Sequence, residues 1–204
     1  MLNRLAKRLF DILGSLAIIT AISPLFAVLT LMVLFRDGRP VLFRQARVGL
    51  NGKLFKILKY RSMIPVEKQA PSVYADQTWT DGVPDDFVFK SGNNPNVTPT
   101  GAFLRKYSLD ELPQFFNVLG GTMSLVGPRP EIPAIADYYN AAQRRRLQVK
   151  PGITGWAQIN GRADINNGRK IALDLYYVEH QSLWLDVRIM IRTLIHAVTG
   201  KGAV

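Results

Sequence analysis

Apolar and polar positions divide the chain unevenly. Residues 12–35 form one uncharged, predominantly apolar run of about 24 residues, interrupted at its midpoint by Ser23-Pro24. At ~1.5 Å per residue, a straight helix of that length reaches about 36 Å, enough for a hydrocarbon core of roughly 30 Å. Pro24 lacks the amide hydrogen its turn requires, and the Ser23 hydroxyl can satisfy a carbonyl freed by the break. A sharp bend between two half-helices is therefore expected. The run is too long for a secretory leader, and no small-residue cleavage site precedes Arg36. Arg4, Lys7 and Arg8 stand before it, and Arg36, Arg39, Arg44 and Arg47 stand after it. Because Lys and Arg collect on the cytosolic side of membrane segments, both flanks read as cytosolic and the run reads as a re-entrant hairpin in one leaflet. A bitopic helix with a tolerated proline is one alternative. A buried helix of a soluble core is another, although such helices seldom stay apolar around their whole circumference.

Past the run the period changes. Between Val41 and Lys59, two strand-like stretches flank Asn51-Gly52, a dipeptide suited to tight turns, and predict a β-hairpin. Residues 65–100 are rich in Pro, Asp, Gly, Asn and Thr without a sustained period, and read as a long loop. A short helix is expected through Phe103, Leu104 and Arg105, and a second is stopped by Gly120-Gly121. A third is expected from about Ile132 to Leu147, with Pro133 in its first turn and Arg144 to Arg146 near its end, where cations suit the helix dipole. Pro151-Gly152 break the chain, and ITGWAQINGR (153–162) reads as extended or irregular. Residues 169–180 read as a helix with Ile171, Leu175 and Val178 on one face and Asp174 off it. The last helix, about Leu183 to Val198, is amphipathic, with Trp184 at its start and Arg188 and Arg192 on its polar side; it suits a membrane surface and packing on the core equally. Together these predict an α+β, mainly helical fold. A re-entrant anchor occupies residues 1–36, and a compact cytosolic catalytic domain occupies residues 37–204, carrying the small β-hairpin and amphipathic interfacial helices.

Composition narrows the chemistry. At 204 residues and 48% apolar content the chain can build one domain with a real core. Lys plus Arg number 26 against 15 Asp plus Glu, a net charge of +11, which points to anionic partners: nucleic acid, anionic lipid or phosphorylated small molecules. The absence of cysteine excludes disulfides, cysteine-ligated zinc and a thiol nucleophile. The two histidines, His180 and His196, are spaced for neither a metal cluster nor a triad, and neither a Walker-type loop nor a G-x-G-x-x-G turn occurs.

The adjacent acids Asp110-Glu111 are the main candidates for chemistry. Ser108-Leu109-Asp110-Glu111 fits a capping box, in which Ser108 caps a helix and Glu111 reaches back to its amide. Against this, Pro113 lacks the amide that a helix capped at Ser108 needs in its second turn, so the helix can instead start at Pro113, with both carboxylates just ahead of it. Ionised there, they can hold Mg²⁺, and one can attack phosphorus. Phosphoryl transfer also needs cations against its developing charge, and Lys59, Arg61, Arg105, Arg129 and Arg162 are available. Arg129 stands out because Pro128 and Pro130 restrict its backbone.

These residues sit in ordered blocks: FKILKYRSM (55–63), FLRKYSLDELPQFFNVLGGTMSLVGPRPE (103–131), KPGITGWAQINGR (150–162) and LDLYYVEHQSLWLD (173–186). With the Ser23-Pro24 segment, they resemble the bacterial sugar transferases known as monotopic phosphoglycosyl transferases over nearly the whole chain. The resemblance implies transfer of a sugar 1-phosphate from a UDP-sugar to polyprenyl (undecaprenyl) phosphate with release of UMP, as the first membrane step of exopolysaccharide or other glycoconjugate assembly. It implies Mg²⁺, with Asp110 as nucleophile and metal ligand and Glu111 assisting, and substrate contacts from Lys59, Arg61, Arg105, Arg129, Gln158, Arg162 and Asp174. It places the protein in the bacterial inner membrane with active site and both termini facing the cytosol, in contact with membrane lipids, without nucleic acid, and leaves a homodimer open. Two departures touch the donor side: Asn94-Pro95-Asn96 stands where the family often carries Asp-Pro-Arg, and a tryptophan often found near Asn167 is missing. The alternative is a non-catalytic basic protein of membrane surfaces or nucleic acid, with Asp110-Glu111 only a helix cap.

Overall fold

A computed structural model describes residues 4–64, 79–88, 95–161 and 165–199. The apolar run forms two helices, α1 (Arg4–Ala21) and α2 (Ser23–Asp37), which meet at 67°. Ser23 Oγ donates to Thr20 O at 2.9 Å, so the hydroxyl does cover a carbonyl at the break. Among the described residues no single helix is long and apolar enough to cross a membrane.

The amphipathicity of α1 is inverted relative to a helix on a soluble core. Its polar positions Lys7, Asp11 and Ser15, spaced four apart, are the buried ones, whereas Leu5, Leu9, Leu13 and Leu16 are exposed. Lys7 Nζ lies 2.7 Å from Asp186 and 3.2 Å from Asp11, whose Oδ1 also accepts from Ser124 Oγ (2.9 Å) and Leu125 N (3.1 Å). Arg8 donates to Val118 O and Leu119 O (2.5 and 2.7 Å). The leading cations are therefore not all free flanking charges, as the sequence pattern had them. Lys7 and Arg8 fasten α1 to the rest of the protein. At the other end, Leu29 and Val33 of α2 pack against Tyr60 and Leu104, and Arg61 donates to the carbonyls of Asp37, Gly38 and Arg39.

The expected hairpin is present as β1 (Leu42–Val48) and β2 (Leu54–Tyr60), antiparallel, with Leu42 opposite Tyr60 and Val48 opposite Leu54. Its turn is longer than a two-residue loop, running 49–53, but Asn51 (φ 54°) and Gly52 (φ 79°) supply the left-handed conformations for which that dipeptide is suited. Asn117 ties β2 to the next layer: its Oδ1 accepts from Leu58 N (2.9 Å) and its Nδ2 donates to Lys56 O (2.8 Å). Helix α3 (Pro99–Lys106) is capped by Thr98, and α4 (Gln114–Leu119) ends at Gly120-Gly121 as expected.

The segment 153–162 is more ordered than its sequence pattern indicated. Strand β3 (Ser124–Val126) pairs in parallel with β4 (Gly152–Thr154). Gly127 and Gly152 permit this close approach, since a Cβ at either would collide with the opposite backbone. The helix expected over 132–147 is broken into α5 (Pro133–Ala136) and α6 (Ala141–Arg144), followed by a 3-10 turn. Asn140 starts a new helix with a capping box to Gln143, and Gln143 in turn bonds both backbone groups of Val83, so capping and tertiary pairing outweigh continuation. Beyond α7 (Trp156–Ile159), helix α8 (Asn167–His180) buries Ile171, Leu173, Asp174 and Tyr177. Asp174 thus belongs to the buried face, not off it. Helix α9 (Leu183–Thr199) packs one side on the core and leaves another exposed. Leu185, Asp186 and Ile189 face the core, while Trp184, Ile191, Leu194 and Ile195 are exposed.

Candidate active site

The acidic pair lies in a bend forced by Pro113. The chain leaves α3, turns through Ser108 in the left-handed region (φ 55°), and makes a 3-10 turn over Leu109–Glu111 before α4 starts at Gln114. Ser108 makes no side-chain cap, so of the two readings of this stretch the late helix start is the one adopted. Leu109 and Leu112, on either side of the pair, pack on the cluster that holds Leu29 and Val33 of α2. The carboxylates are thereby held beside the cluster that α2 shares with Tyr60 and Leu104.

Their environments differ sharply. Glu111 Oε1 is 2.8 Å from Lys59 Nζ, on β2, and 2.6 Å from Arg129 Nη2, with Arg129 Nη1 3.3 Å from Oε2. Burial pushes this carboxyl up, but the adjacent guanidinium and ammonium outweigh it and hold Glu111 well below the usual carboxylate range. Asp110 is buried and has no ion pair or hydrogen bond of its own among the described residues. Burial first, and the negative charge of Glu111 second, raise it above the usual range, against the pull of Lys59, Arg129 and Arg105. One acid is neutralised by two cations, while its neighbour is left without one of its own. That is the arrangement in which a carboxylate remains available as a nucleophile or metal ligand.

Arg129 reaches the pair from the loop after β3. Its neighbours have no amide hydrogens, yet every carbonyl of Pro128-Arg129-Pro130 is bonded: to Gly152 N (2.9 Å), Arg146 Nη2 (2.9 Å) and Arg47 Nη1 (3.3 Å) in turn. Arg146 is buried and pairs with Asp174 (2.6 Å), and its Nη1 donates to Tyr139 Oη (2.6 Å). Glu131 joins this group through Lys170 (2.7 Å).

Of the residues singled out from sequence, Asp110, Glu111, Lys59 and Arg129 converge, and Arg105 acts on Asp110 from the end of α3. Arg61 does not join them, because its guanidinium is taken by the carbonyls at the end of α2. Gln158 donates to Ile153 O (2.9 Å) within its own β4-α7 turn. Asp174 faces Arg146 rather than Asp110. Arg162 and Asn94 lie outside the described residues. Lys7, Asp11, Asp186, Arg146 and Glu131 escaped the sequence reading. For Asp11 and Asp186 the available signal was a carboxylate in an otherwise apolar stretch, which is costly unless paired, whereas Lys7 and Arg146 stand beside other basic residues and carried no such signal.

The profile of the family described as bacterial sugar transferase matches residues 2–200. "Galactosyl transferase CpsE" of Streptococcus agalactiae is 41% identical over 203 residues, covering 98% of this chain and 43% of that protein. "UDP-glucose:undecaprenyl-phosphate glucose-1-phosphate transferase" of Escherichia coli is 40% identical over 209 residues, covering 98% of this chain and 42% of that protein. "Exopolysaccharide production protein ExoY" of Sinorhizobium fredii is 36% identical over 207 residues, covering 98% of this chain and 88% of that protein. The chain thus spans about two-fifths of the length of the first two and most of the third. With its profile matched from end to end of the described fold, the chain belongs to the bacterial sugar transferase family.

Proposed function

We propose that this chain transfers a sugar 1-phosphate from a UDP-sugar to polyprenyl phosphate at the cytosolic face of a bacterial inner membrane, an early membrane step in polysaccharide assembly. The observation that carries this reading is the split between Glu111, neutralised by Lys59 and Arg129, and the buried Asp110, which has no ion pair among the described residues. The names of the relatives support it, since one acts on UDP-glucose and undecaprenyl phosphate and another, from Salmonella typhimurium, is an undecaprenyl-phosphate galactose phosphotransferase.

In this mechanism the ionised Asp110 carboxylate attacks the β-phosphorus of the donor. An Asp110 O–P bond forms, the bond from that phosphorus to the bridging oxygen breaks, and UMP leaves with the electron pair. A phosphate oxygen of the lipid then attacks the same phosphorus, displaces the Asp110 carboxylate and yields the diphosphate-linked sugar. Lys59 and Arg129 lie where charge builds on the non-bridging oxygens, and Glu111 holds both cations in place. Asp110 fits a hard cation: one carboxylate with substrate phosphate oxygens is an ordinary donor set for Mg²⁺. Among the described residues no group of three or more His, Cys, Asp or Glu side chains gathers, so the donor's phosphates would complete the shell. Bound there, Mg²⁺ would supply charge neutralisation on the diphosphate.

The anchor is read as re-entrant. What supports this is the 67° bend and the docking of both ends of the helix pair on one body, through Lys7 and Arg8 at the start and through Arg61 and Leu104 at the end. The outward leucines of α1 and the exposed apolar side of α9 would then meet lipid. A panel of UDP-sugars incubated with polyprenyl phosphate and Mg²⁺ tests the reaction. UMP is the expected by-product, and Asp110→Asn should lower the rate by about 10³-fold or more. Release of UDP, or near wild-type turnover by Asp110→Asn, overturns the reading.

A further inference from the structure

A segment with two prolines can be fixed only through its carbonyls and the single amide of the residue between them. In Pro128-Arg129-Pro130 all three carbonyls are held, and the central one is held by a side chain whose burial is otherwise hard to account for. Arg146 is 1% exposed, and a guanidinium so placed is costly unless paired and hydrogen-bonded. Its partners come from three elements: Asp174 on α8 at 2.6 Å, Tyr139 after α5 at 2.6 Å, and Arg129 O at 2.9 Å. Glu131 Oε2 lies 3.7 Å from Nη1 and is itself paired with Lys170, so the charges facing Arg146 are Asp174 and Glu131, with Lys170 opposing them. The same Nη2 serves Asp174 and the Arg129 carbonyl. Asp174 supplies the counter-charge, and the bond from Nη1 to Tyr139, on the other arm of the fork, fixes where Nη2 points.

We propose that Arg146, with Asp174 as its buried counter-ion, is a positioning residue that aims Arg129 at Glu111. Asp174 then affects turnover from within the core without touching the donor. The inference rests on the reading of Asp110 and Glu111 as the reacting pair. It adds that the direction of Arg129 is set from behind, through its own carbonyl.

The test uses the full chain in a membrane mimic: wild type, Arg146→Lys, Arg129→Ala and the double variant. UMP release is followed for kcat and KM, and the Arg129 guanidinium is observed by ¹⁵N NMR, assigned with Arg129→Ala and compared with its position in Glu111→Gln. Lysine keeps the charge opposite Asp174 but lacks the planar fork that bonds Tyr139 through Nη1 while Nη2 serves Asp174 and the Arg129 carbonyl. Arg146→Lys is expected to lower kcat about 10- to 100-fold, as supporting residues do when they let a reacting group drift. It should also move the Arg129 guanidinium signal toward its position in Glu111→Gln, and the double variant should be no slower than Arg129→Ala alone. A lowered rate with the Arg129 signal unmoved, or losses that add in full in the double variant, would overturn the proposal. If Arg146→Lys fails to fold, the pair Arg146→Gln with Asp174→Asn removes both buried charges together and carries the same expectations. If wild type releases no UMP while the Arg129 signal still moves in Arg146→Lys, the transferase reading falls and the positioning role stands.

Discussion

Replacing Lys7 by methionine separates two accounts of the N-terminal cations. Methionine keeps most of the aliphatic stem and removes only the ammonium. In the fold that ammonium lies 2.7 Å from Asp186 Oδ2 and 3.2 Å from Asp11 Oδ1, and Asp186 is fully buried. Removing one partner of a buried pair costs about 3–5 kcal/mol because the remaining charge is stranded. Asp11 keeps Ser124 Oγ and Leu125 N, and Asp186 keeps the Tyr177 hydroxyl at 2.8 Å, so the low end, about 3 kcal/mol, applies. For a chain of this size each kcal/mol moves Tm by about 2–4 °C, giving a fall of about 6–12 °C. The pH dependence has a definite sign. Burial holds Asp186 above the usual carboxylate range and Lys7 pulls it down, so losing Lys7 raises it further. The stability contributed by a carboxyl raised in the folded state is present at low pH and lost as pH rises through its folded pKa. The deficit should therefore shrink on going from about pH 8 to about pH 5.5. Thermal unfolding in detergent, followed by tryptophan fluorescence, reads both quantities. An unchanged Tm, which a lipid-facing Lys7 requires, or a deficit that grows on acidification, refutes the reasoning.

Other outcomes follow from the same contacts. Glu111→Gln removes a charge that opposes ionisation of Asp110, so the acid limb of any residual turnover should shift to lower pH; a shift upward contradicts the electrostatic account. Asn117→Ala leaves Leu58 N and Lys56 O without their bridge and should cost about 1–3 kcal/mol, read as a lower denaturation midpoint with an unchanged denaturant slope. Changing Ser23-Pro24 to Leu-Leu should straighten the anchor, so that a cysteine at position 38, labelled only from the cytosolic side in the parent, changes side; the same labelling in both chains would count against a re-entrant hairpin.

Local signals carried most of what was legible. The bend at Ser23-Pro24, the hairpin about Asn51-Gly52, the late start of α4 after Pro113 and its stop at Gly120 each depend on backbone chemistry within a few residues. Asp110 and Glu111 could be found because they are adjacent. What escaped depends on partners distant in sequence. Lys7 meets Asp186 across most of the chain, and Arg146 meets Asp174 from a different element. Polarity was read as exposure in both places. Asp174 lies three positions after Ile171 and four before Val178, on one helical stripe with both, and only its charge argued for the other side. The continuous helix over 132–147 failed for a related reason, since nothing in its apolar period reveals that Gln143 is needed at Val83.

Two different supports act on adjacent carboxylates. Leu109 and Leu112 pack against the cluster formed by Leu29, Val33, Tyr60 and Leu104, so the position of the pair is fixed by core packing rather than by a free loop. The direction of the cations that meet Glu111 is fixed elsewhere, by the hairpin for Lys59 and by the held Pro-Arg-Pro segment for Arg129. Because the cations are aimed by these separate elements, they neutralise one acid and leave the other buried without an ion pair of its own among the described residues. A longer or mobile support on either side would let Arg129 or Lys59 swing to Asp110, lower its basicity and occupy its oxygens. The separation of the two supports is what allows two acids one residue apart to remain chemically distinct.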